Sequence, residues 1–255
     1  MPRVTTTRQP SKPAGITTVG IDVGGARKGF HAVAITGGDY SSHLATKDVQ
    51  ELTYWCRETV RARVVAVDAP CRWSNDGHSR LAERELMKQG IWCFSTPTRK
   101  QAVEHRRNYF GWMLRGEALF RALENDFPLC RKLPATNRKC CFETFPHAIT
   151  WHLRGGNADA SQKRKQRRAL LEQAGIDLTR LTNIDLVDAA LCALTAYHAA
   201  TGRACMSFGE QNTGLIIVPS PTYERRRNPT SRRHLLPQAR RAGGVEEVAA
   251  ASGVQ

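Results

Sequence analysis

At 255 residues the chain is long enough to bury one full core, and 41% hydrophobic with 24% charged residues excludes a globally disordered polymer. The formal charge is +15; residues 1–15 supply three net charges and residues 221–255 four, which leaves +8 on the segment between them. A folded part this basic favours a polyanionic partner, because Lys and Arg displace counterions condensed on nucleic acid; a plain solubility surface is the alternative. Eight cysteines form no C-x-x-C pair, and Cys140 and Cys141 are adjacent. That spacing suits neither a zinc knuckle nor a disulfide framework and points to reduced, mostly buried thiols. Residues 1–14 are polar and proline-containing, unlike a signal peptide, and no run nears the ~20 apolar residues that span a bilayer. The expectation is a cytoplasmic protein with no membrane contact.

Residues 1–15 read as a mobile leader. The β-rich run Thr17–Val23 ends in Gly24-Gly25, Gly29 through Thr36 is a second strand, and Gly37-Gly38-Asp39 turns into a third near Tyr40–Ala45. Two glycine turns between short β runs predict an antiparallel meander. Asp48 through Val60 has the spacing of an amphipathic helix. Arg63–Asp68 is a continuously apolar run that ends in an acid, as expected of a central strand buried on both faces. A helix over Ser79–Gln89 follows, then a longer helix or a pair between Arg99 and Asn125. Cys140–Thr144 is a fifth strand, with Pro146 in the first turn of the next helix. Ser161–Ala174 is a basic helix capped by Ser161 and stopped by Gly175. Asn183–Ala200 is a strongly apolar helix, and Leu215–Pro219 an additional edge strand. The Arg-rich stretch 220–255 reads as a disordered tail.

Three acids stand out because their neighbours are apolar. Asp22 interrupts the first strand between Ile21 and Val23, Asp68 ends the run Val64-Val65-Ala66-Val67, and Asp188 opens a helix that continues without charge to Leu194. A carboxylate in such surroundings is costly unless it is paired, hydrogen-bonded or bound to metal. Asp185 shares a helical face with Asp188 at i, i+3, and Glu143 follows Cys141-Phe142 in the fifth strand. If the first and fourth strands are parallel neighbours, Asp22 and Asp68 meet at the carboxyl-end crevice of the sheet, where ligands of open α/β sheets bind. Converging carboxylates repel one another unless hard cations neutralise them. Mg²⁺ or Mn²⁺ suits such oxygen ligands, and two ions ~3.5–4 Å apart activate water and stabilise the leaving oxygen in phosphodiester cleavage. The expected metal ligands are Asp22, Asp68 and Asp188, with Asp185 and Glu143 as further catalytic acids. Taken singly, each acid is equally readable as a cap, a turn residue or an internal ion-pair partner.

The order meander, helix, strand, with Asp22 on the first strand and Asp68 ending the fourth, resembles the RNase H-like superfamily. Asp185-Leu186-Val187-Asp188-Ala189-Ala190-Leu191 is similar to the last acidic motif of the Holliday-junction resolvase RuvC. The stretches GIDVGGARKGFHAVAI, VVAVDAP, RLAERELMKQGI, ETFPHAI and NIDLVDAALCAL resemble a family of uncharacterised bacterial proteins regarded as RNase H-like nucleases, over most of residues 16–218. The resemblance implies an α/β fold with a mixed five-stranded sheet flanked by helices and a helical insertion at about 71–139. It further implies a two-metal-ion nuclease, and its resolvase side implies a homodimer. RuvC carries Glu where this chain has Asp68; RNase H carries Asp.

Gln162 through Arg168 places five cations within two helical turns, so Lys163, Arg164, Arg167 and Arg168 are candidates to track a phosphate backbone, with Arg27, Lys28, Arg106 and Arg107. A solvated helix face explains the same run. Tyr109, Phe110 and Trp112 are of the type that stacks on unpaired bases, although aromatics clustered in a helix more often belong to a core. Arg80, Glu83 and Glu85 lie in the insertion; Arg80 pairing with Glu83 one turn along is favoured over Glu83 as an extra ligand. His147 follows the strand-end Glu143, and no histidine has zinc spacing. Two rival readings stand beside the nuclease. One is a nucleic-acid-binding protein without catalysis. The other is a sugar-kinase or actin-like ATP-binding protein, in which Gly20-Ile21-Asp22-Val23-Gly24-Gly25 is a phosphate loop; its second Asp-x-Gly turn and adenosine motif are not found.

Overall fold

The glycine-punctuated β runs fold as an antiparallel meander of β1 (Thr17–Val23), β2 (Phe30–Thr36) and β3 (Asp39–Thr46). Asp48 then caps α1 (Val49–Tyr54), its carboxylate accepting from the Gln50 and Glu51 amides, and the helix runs on as a π turn over Trp55–Thr59. The chain returns through β4 (Val64–Asp68), in which Val64 to Val67 are all buried. Between β4 and β5 (Cys140–Glu143) lie α2 (Leu81–Lys88), α3 (Arg99–Glu104) and α4 (Gly111–Leu123). After β5 come α5 (Pro146–Leu153), α6 (Lys163–Gln173) and α7 (Ile184–Thr201), then the hairpin β6 (Cys205–Glu210) and β7 (Gly214–Pro219). The computed structural model describes residues 15–220 apart from 134, 136 and 137; the expected leader at 1–15 (all but residue 15) and the tail beyond residue 220 lie outside the described residues. No described helix is long and apolar enough to cross a membrane.

Among the described residues the strands form one mixed sheet in the order β3-β2-β1-β4-β5-β7-β6, with β1, β4, β5 and β7 parallel. It has seven strands where five were expected. The expected edge strand is β7, which is second from the edge, and the edge itself is β6. Its sequence, CMSFGE, is short and has only Phe208 buried, so it gives no sustained apolar alternation. One further boundary differs: the basic helix begins at Lys163 rather than Ser161, behind a short 3₁₀ turn whose cap is Asp159. Of the two alternatives for the stretch from Arg99 it is the pair of helices that forms, because the chain turns at His105–Asn108, with Asn108 at φ 49°.

Helices cover both faces of the sheet. One face packs Val19, Ile21, Val65 and Val67 against Leu52, Trp55, Leu119 and Leu123 from α1, its π turn and α4. The other packs Val33, Ile35, Val64, Ala66 and Phe142 against α2, α5, α6 and above all α7. In α7, residues Leu186 to Ala196 are all buried, which explains why the helix is apolar on every side. Its cap is Asn183, whose side chain accepts from the Leu186 amide, and it ends at Gly202 in the left-handed conformation.

The contact between α7 and β1 is backbone on backbone. A Cβ added at Gly20 would lie 2.0 Å from the Ala189 carbonyl oxygen and 2.1 Å from the Ala193 amide nitrogen. Beside it the Thr18 hydroxyl donates to the Ala193 carbonyl at 3.1 Å. Gly20→Ala is therefore expected to cost about 3 kcal/mol or more. Gly25→Ala, with nothing within 4 Å of the added methyl, is expected to stay within about 0.5 kcal/mol of wild type. Urea denaturation of the two variants measures the difference, and equal midpoints would remove the close approach as a constraint.

Candidate functional site

Strand register brings the first acids together. Asp22 is in register with Asp68 across the parallel pair β1–β4 and with His31 across the antiparallel pair β1–β2. Residues in register share a face of the pleat, and here it is the face under α7. Because Gly20 lets α7 sit close, the start of that helix sets Asp185 and, nearly one turn on, the buried Asp188 over the same strand ends. Asp22, Asp68, Asp185 and Asp188 thus converge from β1, β4 and α7. The helix amino terminus adds partial positive charge beside them.

The electrostatics record the crowding. Burial, then Asp188 and Asp185, push the Asp22 carboxyl up to about 7. Asp68 keeps part of its surface accessible, yet protein atoms hem it in, and this desolvation together with Asp22 holds its carboxyl well above the ordinary range. Burial also raises Asp188, against the opposing pull of Arg167. Two cations answer four carboxylates. Arg167 Nη1 lies 2.5 Å from Asp188 Oδ1 in a buried pair, and Lys28 Nζ reaches both oxygens of Asp185 at 2.8 and 3.0 Å, a hydrogen bond that raises the lysine. Burial lowers His31, which keeps its imidazole neutral near pH 7, and its buried Nδ1 has no hydrogen-bond partner.

The expected metal ligands were Asp22, Asp68 and Asp188. The ligand atoms found within 4.8 Å of one another are instead those of Asp22, His31 and Asp185. Asp188 is held by Arg167, and Asp68 stands next to Asp22 on β4. His31 was absent from the expected set. Its signal was present in the register: a turn from Gly24 to Gly29 closing on Asp22 puts His31 directly opposite.

Glu143 does not join the cluster. It is in register with Val67, one residue out of step with Asp68, which turns it to the other face. Both of its oxygens are taken: Arg80 Nη1 and Nη2 donate at 2.9 and 2.7 Å, and the Cys71 amide at 2.8 Å. Arg80 also donates from Nε to Glu83 at 2.8 Å, and Glu83 accepts from the Thr96 amide at 3.0 Å and from the Thr96 hydroxyl. Arg80, Glu83 and Glu143 are all buried, so this triad pins the insertion to the end of β5, and the expected Arg80–Glu83 pairing is present within it. Glu85 accepts from the Gly209 amide at 2.6 Å and ties α2 to β6.

The expected nucleic-acid contacts divide. Arg27, Arg106, Arg107, Lys163 and Arg164 are exposed. Arg167 is buried against Asp188, and Arg168 donates to the Leu181 carbonyl at 3.0 Å, so neither is a free phosphate contact. Lys28 is exposed but engaged with Asp185. The basic run concealed the phase of α6: Leu170 and Leu171 face the core, and three or four residues back the same face holds Arg167. His147 is half-buried, with burial lowering its imidazole.

Two tests follow. Removing the shared cation by Arg80→Met leaves two buried carboxylates unpaired, a loss of about 3–5 kcal/mol; an unchanged denaturation midpoint would refute the anchoring role. For Asp22, the folded state holds the proton more tightly than the unfolded chain, whose ordinary value is 3.8. Its contribution to stability is full below that value and is lost as pH rises through about 7. Protein in EDTA should therefore lose more Tm from about pH 5 to about pH 8 than Asp22→Asn does. At ~100-fold excess over Kd, Mn²⁺ should return about 5–10 °C at pH 8 and less at pH 5, where protons compete. A wild-type Tm indifferent to Mn²⁺ at pH 8 would sink this reading of the cluster.

No curated protein and no solved structure matches the chain. A family described as protein of unknown function (DUF429) matches residues 20–213. That span takes in every member of the acidic cluster, from Asp22 to Asp188, and the chain belongs to this family.

Proposed function

We propose that the protein is a divalent-metal-dependent nuclease of RNase H-like architecture that hydrolyses phosphodiester bonds at the Asp22, Asp68, Asp185 and Asp188 cluster. The observation that carries the reading is the charge count: four converging carboxylates meet two cations, Lys28 and Arg167. Fully ionised, the cluster keeps two negative charges without a hydrogen-bonded cation, Lys163 acting on Asp188 only through space, and that deficit suits a divalent ion. The donor set fits such an ion. Carboxylate oxygens suit Mg²⁺, and a neutral imidazole beside them extends the fit to Mn²⁺. Asp22, Asp185 and His31 would hold it, with Asp68 next to them.

Bound Mg²⁺ or Mn²⁺, singly or as a pair, supplies a water acidic enough to attack near neutral pH and a counter-charge for the phosphate. The residues of the chain do the positioning. Asp22 and Asp68, fixed on adjacent central strands, present their carboxylates without paying for a moving loop. Arg167 holds Asp188 in one rotamer from behind. Arg27, Lys163 and Arg164 are exposed around this end of the sheet, and Lys163 is close enough to act on Asp188; they support a polyanionic substrate, a nucleic acid, against a small neutral one.

The test is cleavage of labelled single-stranded, duplex, hybrid and junction substrates with Mg²⁺, with Mn²⁺ and with EDTA. Wild type should cut at least one of them with metal only. Asp22→Asn and Asp68→Asn should each lower the rate at least about 100-fold while binding the substrate as well or better, since one less negative charge faces the phosphates. Asp188→Asn unpairs the buried Arg167, so its activity is read only alongside its Tm. Metal-independent binding with no cleavage of any substrate would favour the non-catalytic binding protein.

A further inference from the structure

The large exposed aromatic side chains include a group that the acidic cluster does not use. Phe94, 61% exposed, stands in the extended segment after α2, and Tyr109, 54% exposed, in the turn between α3 and α4. Their ring centroids are 6.3 Å apart at an interplanar angle of 71°, and Phe94 meets Trp112 at 6.3 Å and 63°. Tyr109 in turn packs edge-on against Phe110 at 5.0 Å. More than half of each of Phe94 and Tyr109 is nevertheless open to solvent. The expectation that Tyr109, Phe110 and Trp112 belong to a helical core fails for Tyr109, which lies in the turn before α4. The same turn carries the exposed cations Arg106 and Arg107.

The group adjoins one of the acids, Asp68. Phe94 and Trp112 line a cleft of about 50 Å³ whose walls include Asp68, Thr144 and Phe145 and also the paired Arg80, Glu83 and Glu143. That volume admits a few waters and is too small for a base, so a base would rest on the rim, against Phe94 and Tyr109. Exposed aromatic patches of this kind mark contact sites, and the two arginines choose the partner: a polyanion with flat apolar faces. A duplex covers those faces by stacking its own bases, whereas an unpaired nucleotide offers them.

We propose that Phe94, Tyr109 and Trp112 form a stacking platform for an unpaired nucleobase beside the bond to be cut, so that the substrate is a single-stranded nucleic acid or an unpaired stretch within one. The platform rests on the nuclease reading for what happens at Asp68, but its binding role is measurable without turnover. Arg106 and Arg107 track the backbone of the strand whose base is stacked.

Anisotropy titration in EDTA with a labelled single-stranded oligonucleotide, and with the duplex of the same sequence, separates the two claims. Wild type should bind the single strand more tightly than the duplex. Phe94→Ala with Tyr109→Ala should weaken single-strand binding about tenfold or more and leave duplex binding and Tm unchanged. Phe94→Leu, which keeps apolar volume without a ring face, should lose most of the same increment. Arg106→Ala should instead weaken both ligands and flatten the salt dependence. Equal affinity for both forms, or a double variant that binds the single strand like wild type, overturns the platform even if the enzyme cleaves. Ring-dependent single-strand binding without cleavage of any substrate upholds the platform and overturns the nuclease reading instead. A patch that serves protein contact would show as wild-type self-association lost in the double variant with single-strand affinity unchanged, and that result also overturns the platform.

Discussion

The placement of everything chemical depends on one contact: the backbone of α7 resting on the backbone of β1 at Gly20. Packing a helix on a sheet normally keeps the two about 10 Å apart, because side chains fill the gap. Here Gly20 has no side chain, and the facing helix positions are Ala189 and Ala193. The spacing collapses far enough for Thr18 to donate a hydrogen bond to a helix carbonyl. The consequence appears two residues further along the strand. At Asp22 the same close approach brings the start of the helix, with Asp185 and Asp188, onto the strand ends that carry Asp22 and Asp68. A side chain at position 20 would lift α7 away and separate the acids without altering any of them.

Two buried ionic assemblies sit at this end of the sheet and behave differently. Arg80, Glu83 and Glu143 are saturated: backbone amides, a threonine hydroxyl and all three guanidinium nitrogens are engaged. A charge group so completely paired has no capacity left for a ligand and serves to fasten the insertion to β5. The aspartate cluster is the reverse. It has more carboxylates than paired counter-charges, displaced titrations on Asp22 and Asp68, and an imidazole nitrogen without a partner. Unsatisfied charge marks a working site better than charge itself. One residue of strand register separates the two, since Asp68 and Glu143 differ by a single step in the pleat.

The meander and the apolar α7 were legible because each repeats its pattern over seven or more residues or is walled by glycine, and the central strand β4 because Val64 to Val67 run apolar without a break. The acids on those elements were legible for the same reason: Asp22, Asp68 and Asp188 interrupt patterns that are otherwise apolar. What escaped was information carried between elements. Edge strand β6 has no periodic burial to announce it. His31 becomes a candidate ligand only once the turn length sets which residue lies across from Asp22. Glu143 looked equivalent to Asp68 because both end apolar runs, and only the alignment of β4 with β5 shows them facing apart. Arg167 was hidden by its own neighbours, four other cations in a seven-residue stretch that reads as a solvated face.

The two cations of the cluster are not equivalent, and under the nuclease reading the difference bears on how it would take up a metal ion. Arg167 is buried, and its guanidinium is trapped between α6 and α7 with Asp188 as its partner. Withdrawing it would strand a charge in the interior, so it remains as a permanent counter-ion and holds Asp188 in place. Lys28 lies in the exposed turn between β1 and β2, its side chain 59% accessible, and reaches Asp185 directly at 2.8 Å on the solvent side. An exposed lysine pair of this type contributes little and breaks readily. Lys28 can therefore leave Asp185 when a stronger cation arrives, and its flexible ammonium is then free for a phosphate at the same mouth. In that arrangement Arg167 sets the geometry, and Lys28 would hold Asp185 oriented until a ligand takes its place.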